Sequence, residues 1–162
     1  MKRFWKKRWL PLPVLIPLLL YAAAAVWTST RNVSQLPVLM YHHISEDVAT
    51  DMVISPARFE AHMAALKEHG WNSVTIRQLI EFGEQGTPLP DHPVLITFDD
   101  GYLSNYTLAF PILQKYRMKA TIFVIGATMG NTEHYKDTDY PITPHFSAQQ
   151  AREMVASGLI SI

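Results

Sequence analysis

Two adjacent carboxylates close an apolar run at Pro93-Val94-Leu95-Ile96-Thr97-Phe98-Asp99-Asp100-Gly101. Paired acids at such a point have a chemical use: one can hold a metal ion while the other takes a proton from water. The same residues can also make a plain turn, with Asp100-Gly101 reversing the chain and Asp99 capping the next helix. Histidine is the other residue able to ligate metal or move protons near neutral pH, and the chain has seven. His42 and His43 are adjacent in an apolar run, and side-chain alternation along a strand points them opposite ways, so at most one can enter a site at the strand's end. His62 and His69 read as solvated helix residues. His134 and His145, eleven apart with no ligand-like spacing, read as exposed loop residues.

The elements that must position these groups follow from periodicity. Leu36 to Ile44 reads as a first strand, and Val94 to Phe98 as a central strand buried on both faces, as in a parallel sheet. Ligands collect at the carboxyl ends of such strands, where the paired acids lie. Ser55-Pro56 opens a helix carrying Phe59, Met63 and Leu66 on one stripe, and Gly70 ends it. Thr75 with Gln78, and Ser147 with Gln150, have the spacing of capping boxes. Gly83 to His92 reads as a loop. Asn105 to Tyr116 reads as a helix that Pro111 kinks or restarts, and Ala120 to Ile125 as a strand. Gly126 to Phe146 is irregular, and Leu159 to Ile162 begins another strand. Strands alternating with helices specify an α/β chain, either a barrel or an open doubly wound sheet.

The run Thr97-Phe98-Asp99-Asp100-Gly101-Tyr102, continued by Asn105, Ala109, Pro111-Ile112-Leu113 and Lys119 to Val124, resembles the polysaccharide deacetylases of carbohydrate esterase family four. The resemblance covers roughly residues 36–162. It implies an irregular (β/α) barrel and a metal-dependent hydrolase that removes N-acetyl groups from polymers of N-acetylglucosamine. By the same resemblance Asp99 is the general base and Asp100 a metal ligand, with His42, Gly101 and Tyr102 at the rim of the substrate site. The implied cofactor is a divalent metal, zinc in the first place, with cobalt or nickel as alternatives that aspartate and histidine also accept. The family's two ligand histidines, in an H-[ST]-x-x-x-H type motif, and its later motifs find no counterpart in these residues. The barrel is therefore expected to be incomplete at its C-terminal end, and the chain to be an inactive N-terminal piece of a longer enzyme.

Composition sets the outer bounds. The 162 residues suit one domain, and the absence of cysteine excludes disulfides, thiolate zinc sites and a cysteine nucleophile. Five of the 14 basic residues and none of the 14 acidic ones lie in residues 1–9, so the rest carries nine basic against 14 acidic residues. That acidic body argues against nucleic acid as a partner. The basic start precedes an uncharged apolar run, Leu10 to Trp27, which reads as a membrane anchor or export signal joined by a linker, residues 28–35, to the domain. The expected location is the cell membrane with the domain outside the cytoplasm, or outside the cell if the signal is cleaved. Alternatives to the deacetylase are a non-catalytic, membrane-anchored carbohydrate-binding relative, an aspartyl-phosphate enzyme and a tethered structural domain. Gly101 stands where an aspartyl-phosphate enzyme usually has its second acid, which counts against that reading.

Overall fold

The apolar run before the paired acids lies at the centre of a parallel sheet. The computed structural model describes residues 16, 17, 20, 21, 36–47, 50, 52–134, 136 and 142–162. The chain divides into two units, Met1–Gln35 and Leu36–Ile162. In chain order the second unit contains β1 (Val38–Tyr41), β2 (His43–Ile44), β3 (Val53–Ile54), α1 (Pro56–Glu68), β4 (Asn72–Val74), α2 (Ile76–Gln85) and β5 (Pro93–Phe98). A π-helical turn (Asn105–Ala109), α3 (Phe110–Tyr116), β6 (Ala120–Ile122), a 3-10 turn (Gly126–Thr128), α4 (Ala148–Ala156) and β7 (Ile160–Ser161) follow.

The sheet runs β1-β5-β6-β7, every pairing parallel. Leu95 pairs with Val38 of β1 and Val74 of β4, so β4 lies on the edge of β5 away from β1. Phe98 pairs with Tyr41 and with Ile122 of β6, so β6 shares that edge further along. Side chains between β4 and β6 close the gap. The Lys119 N–H donates to Ser73 Oγ (2.6 Å) and the Ile76 N–H to Thr121 Oγ1 (3.4 Å).

Alternation assigns the two faces. Tyr41, Ile96, Phe98, Ala120, Ile122 and Ile160 form one core with Phe59 and Met63 of α1, Phe110 and Leu113 of α3, and Met154 of α4. Three rings anchor it: Tyr41 meets Phe59 edge-on at 5.0 Å, and Phe98 lies 5.5 Å from both. Burial pushes the Tyr41 phenol up to about 12, and its hydroxyl finds a partner in His62 Nδ1 at 3.0 Å. The other face carries Val38, Met40, Leu95 and Thr97. There Val38 and Met40 are exposed, and the described strands form an open sheet rather than a closed barrel. This is an α/β fold with part of the barrel present.

Helix boundaries follow the caps. Ser55 Oγ accepts from the Arg58 N–H with Pro56 in the first turn, and both expected capping boxes form, Thr75 with Gln78 and Ser147 with Gln150.

Three expectations needed correction, and the break expected at Pro111 is present. The first strand divides after Tyr41, and β2 pairs with β3 in a separate two-stranded sheet. Helix α2 runs through Gly83 and ends at Gly86, whose φ of 69° makes the left-handed cap; a glycine inside a helix costs little enough for the flanking turns to carry it. Before Pro111 the chain takes a π turn, in which the Phe110 N–H donates to the Asn105 carbonyl. Proline cannot donate at position 111 and stands in the first turn of α3, which begins at Phe110. Strand β6 stops at Ile122, three residues early. Most of the expected anchor, residues 10–27, lies outside the described residues; its described members Ile16, Pro17, Leu20 and Tyr21 are helical. Among the described residues no helix is long and apolar enough to cross a membrane.

Candidate active site

Strand period and register together set the two groups nearest the chemistry. Tyr41 and Phe98 are paired and face the helices, so the next residues, His42 and Asp99, both turn to the opposite face at the carboxyl ends of β1 and β5. The Asp99 N–H donates to the Tyr41 carbonyl at 2.9 Å, extending the ladder by one rung. His42 Nε2 then lies 3.8 Å from Asp99 Oδ2, with the side chains 19% and 30% exposed.

Strict alternation would send Asp100 toward the helices. Instead Asp100 takes φ 70° and Gly101 φ 79°. The left-handed pair ends the strand, and the Gly101 N–H folds back onto the Asp99 carbonyl (2.9 Å). Aspartate is among the few side chains that tolerate this conformation. The turn is clamped from both sides: the Asp100 carbonyl accepts from the Ile125 N–H at 3.4 Å and the Gly101 carbonyl from the Phe146 N–H at 3.2 Å.

His43 faces the other way, as alternation requires. The Ile44 N–H donates to Ser104 Oγ at 3.1 Å, and that hydroxyl lies 2.8 Å from His43 Nδ1. Burial holds His43 below the usual imidazole range. Tyr102 stands between two histidines, 5.0 Å from the His145 ring and 5.1 Å from that of His43.

A family model described as polysaccharide deacetylase matches residues 86–162, which contain the paired acids and the turn. The Bacillus subtilis protein YxkH, whose name assigns it to the polysaccharide deacetylases, is 36% identical over 135 residues, 83% of this chain and 44% of that protein. The chain belongs to the polysaccharide deacetylase family. An Escherichia coli poly-β-1,6-N-acetyl-D-glucosamine N-deacetylase is 32% identical over 130 residues, 76% of this chain and 19% of its own length. The solved structure of IcaB from Ammonifex degensii superposes with a TM-score of 0.64 at 34% identity, covering 77% of this chain and 50% of that one. A de-N-acetylase from Aggregatibacter actinomycetemcomitans gives a TM-score of 0.68 at 28% identity, covering 78% and 53%. This polysaccharide deacetylase chain thus spans less than half the length of the curated relatives it matches.

Polysaccharide deacetylases are in general metal-dependent. A catalytic zinc takes three protein ligands, and among the described residues no three of His, Cys, Asp and Glu converge on one point. The described residues therefore do not by themselves fit a metal ion.

One histidine was misjudged from the sequence. His145 is buried, 3% exposed, rather than an exposed loop residue. Its backbone bridges antiparallel to Tyr102, and its ring meets that of His134 edge-on at 4.7 Å. Neither ring nitrogen completes a hydrogen bond of good geometry. Burial and the nearby His134 push it below the usual imidazole range, while the Asp100 carboxylate and the Thr143 carbonyl pull the other way. With both ring nitrogens unsatisfied, His145 is a group able to ligate a metal. No local pattern marks His145, because its burial is created by the distant Tyr102.

Asn105 was also undervalued. It is 1% exposed, and its Nδ2 donates to the His42 carbonyl at 2.8 Å. This bond fixes the backbone at the break between β1 and β2, where His42 turns toward Asp99. Asn105→Ala should leave that carbonyl unpaired and cost roughly 1–3 kcal/mol, read as a lowered chemical-denaturation midpoint at unchanged slope.

Proposed function

We propose that the protein of which these residues form part hydrolyses N-acetyl groups on an N-acetylglucosamine polysaccharide, with Asp99 as general base. The observation that carries this reading is the placement of Asp99 and Asp100. One acid continues the strand face beside His42, and the left-handed turn re-aims the other. Two adjacent carboxylates thereby acquire different surroundings, as a base and a ligand require. Asp99 accepts the proton of the water that attacks the acetyl carbonyl. The C–N bond then breaks, the sugar nitrogen takes a proton, and acetate and a free amine result. His42, 3.8 Å away, lies close enough to orient the carboxylate.

Asp100 is proposed as one ligand of a divalent ion, with zinc, cobalt and nickel all compatible with carboxylate and imidazole donors. The remaining ligands would come from outside the described residues, and a polypeptide limited to residues 1–162 is expected to be inactive. Poly-β-1,6-N-acetylglucosamine is the favoured substrate, because relatives named for that polymer recur among the similar proteins. Chitin-like polymers and peptidoglycan present the same acetamide. Residues 10–27 are proposed to hold the protein at the membrane with the domain outside the cytoplasm, on the strength of the basic start and uncharged apolar run.

The test is release of acetate from poly-β-1,6-N-acetylglucosamine by the full-length, metal-loaded protein, with chitin oligomers and peptidoglycan in parallel. Acetate from the first substrate supports the reading. Glycan binding with no acetate from any of the three would instead favour a non-catalytic carbohydrate-binding relative.

A further inference from the structure

The end of the sheet remote from the paired acids carries a second concavity. A groove of about 500 Å3 is lined by residues that open β4 and β6 and by the segments flanking them, among them Lys67, Trp71, Ser73, Gln78, Arg117 and Lys119. Three cations line it and no carboxylate does. Six of the chain's 14 basic residues precede residue 36, leaving eight against all 14 acidic ones in the domain. Three of those eight thus meet at one groove of an acidic body.

These cations are not neutralised. Lys115 and Lys136 pair with Glu60 and Glu133, but among the described residues no ion pair engages Lys67, Arg117 or Lys119. Lys119 Nζ reaches only the neutral amide oxygen of Gln78, at 3.2 Å. Arg117 caps α3 in the left-handed region, φ 53° and ψ 41°, where glycine is the usual residue. A side chain there costs roughly 1–2 kcal/mol, and a glycine would avoid that cost while losing the cation. Unpaired like charges repel one another until an anion sits among them.

We propose that this groove binds a phosphate ester. Its phosphate lies among Arg117, Lys119 and Lys67, with the guanidinium as a two-pronged donor. Its organic part lies against the half-buried indole of Trp71. The volume suits a small ligand rather than a polymer. A phospholipid headgroup and a soluble phosphate ester share this chemistry. The site is independent of the deacetylase reading, because none of its residues approaches Asp99 or Asp100.

The experiment follows Trp71 emission in the full-length protein with every other tryptophan, Trp5, Trp9 and Trp27 among them, replaced by phenylalanine, reconstituted in phosphatidylcholine vesicles at low salt. In one arm sn-glycerol 3-phosphate is titrated in. In the other, phosphatidylglycerol replaces part of the phosphatidylcholine and no soluble ester is added. A saturable change in the first arm assigns a soluble ester, and a change with lipid composition alone assigns a headgroup. In either arm Arg117→Gly should weaken the response about tenfold or more, equivalent to about 1.4 kcal/mol. Because glycine suits the left-handed position, that variant should keep or raise its Tm, so lost binding cannot be ascribed to unfolding. No change in either arm, or a change that Arg117→Gly leaves intact, overturns the proposal.

Discussion

Asparagine in place of Asp99 is expected to cut acetate release by about 10²- to 10⁴-fold, the range that a positioned general base supplies. Stability should change little. The sheet bond at this residue is made by its backbone N–H to the Tyr41 carbonyl, which asparagine retains, and the partly exposed side chain makes no close hydrogen bond that holds the fold. Asp100→Asn should act on a different quantity, the metal content of the isolated protein, and activity should fall with it. Asparagine is the right probe at position 100 because φ is 70°, and asparagine tolerates the left-handed region as aspartate does. An alanine there would add roughly 1–2 kcal/mol of backbone strain and confuse lost ligation with lost fold. Elemental analysis, acetate release and Tm measured on both variants decide the matter. Metal retained in Asp99→Asn and lost in Asp100→Asn fits the assigned roles. Equal metal in both sinks the assignment, and the opposite pattern reverses the two residues.

What was legible beforehand tracks how local each determinant is. The five residues Val94 to Phe98 declare a buried strand because every one is apolar or β-branched, and both capping boxes are written in four-residue spacings. Alternation separated His42 from His43 without choosing between them, and the register of β1 against β5, with Tyr41 opposite Phe98, leaves His42 and Asp99 on one face. The two-residue strands His43–Ile44 and Val53–Ile54 show no period, so nothing in the sequence separated them from strand end and loop. The π turn at Asn105–Ala109 arises from the conflict between a continuing helix and the missing N–H of Pro111, a conflict visible in sequence whose resolution is not. The left-handed φ at Asp100 was harder still. The sequence offered Asp100-Gly101 as a turn, but not that both residues would take left-handed φ values. His145 was invisible for a different reason: the residues that bury it are Tyr102 and His134, and only folding brings them together.

The shared turn makes Gly101 the most demanding backbone position at the site, and Gly101→Ala is expected to destabilise the domain by roughly 2–3 kcal/mol. Two costs add. At φ 79° any L side chain pays about 1–2 kcal/mol for the left-handed conformation. A Cβ at this position would also stand 3.1 Å from Val124 Cγ1 and 3.5 Å from Phe146 Cε1. Val124 is β-branched and cannot rotate away cheaply, and Phe146 is fixed because its N–H holds the Gly101 carbonyl. Gly86 supplies the control. Its φ is 69°, but nothing lies within 4 Å of the position a Cβ would take, so Gly86→Ala should cost the backbone component alone. The difference between the two variants isolates the packing against Val124 and Phe146. A domain of this size loses roughly 3–4 °C of Tm per kcal/mol, so thermal melts resolve the comparison. Relieving the contact requires a shift of a few tenths of an ångström in the turn that aims Asp100. Gly101→Ala should therefore also lower acetate release below the temperature at which it unfolds, whereas Gly86→Ala should not. Equal stability losses in the two variants would mean that the turn has room to spare, and that its left-handed backbone alone fixes where the second carboxylate points.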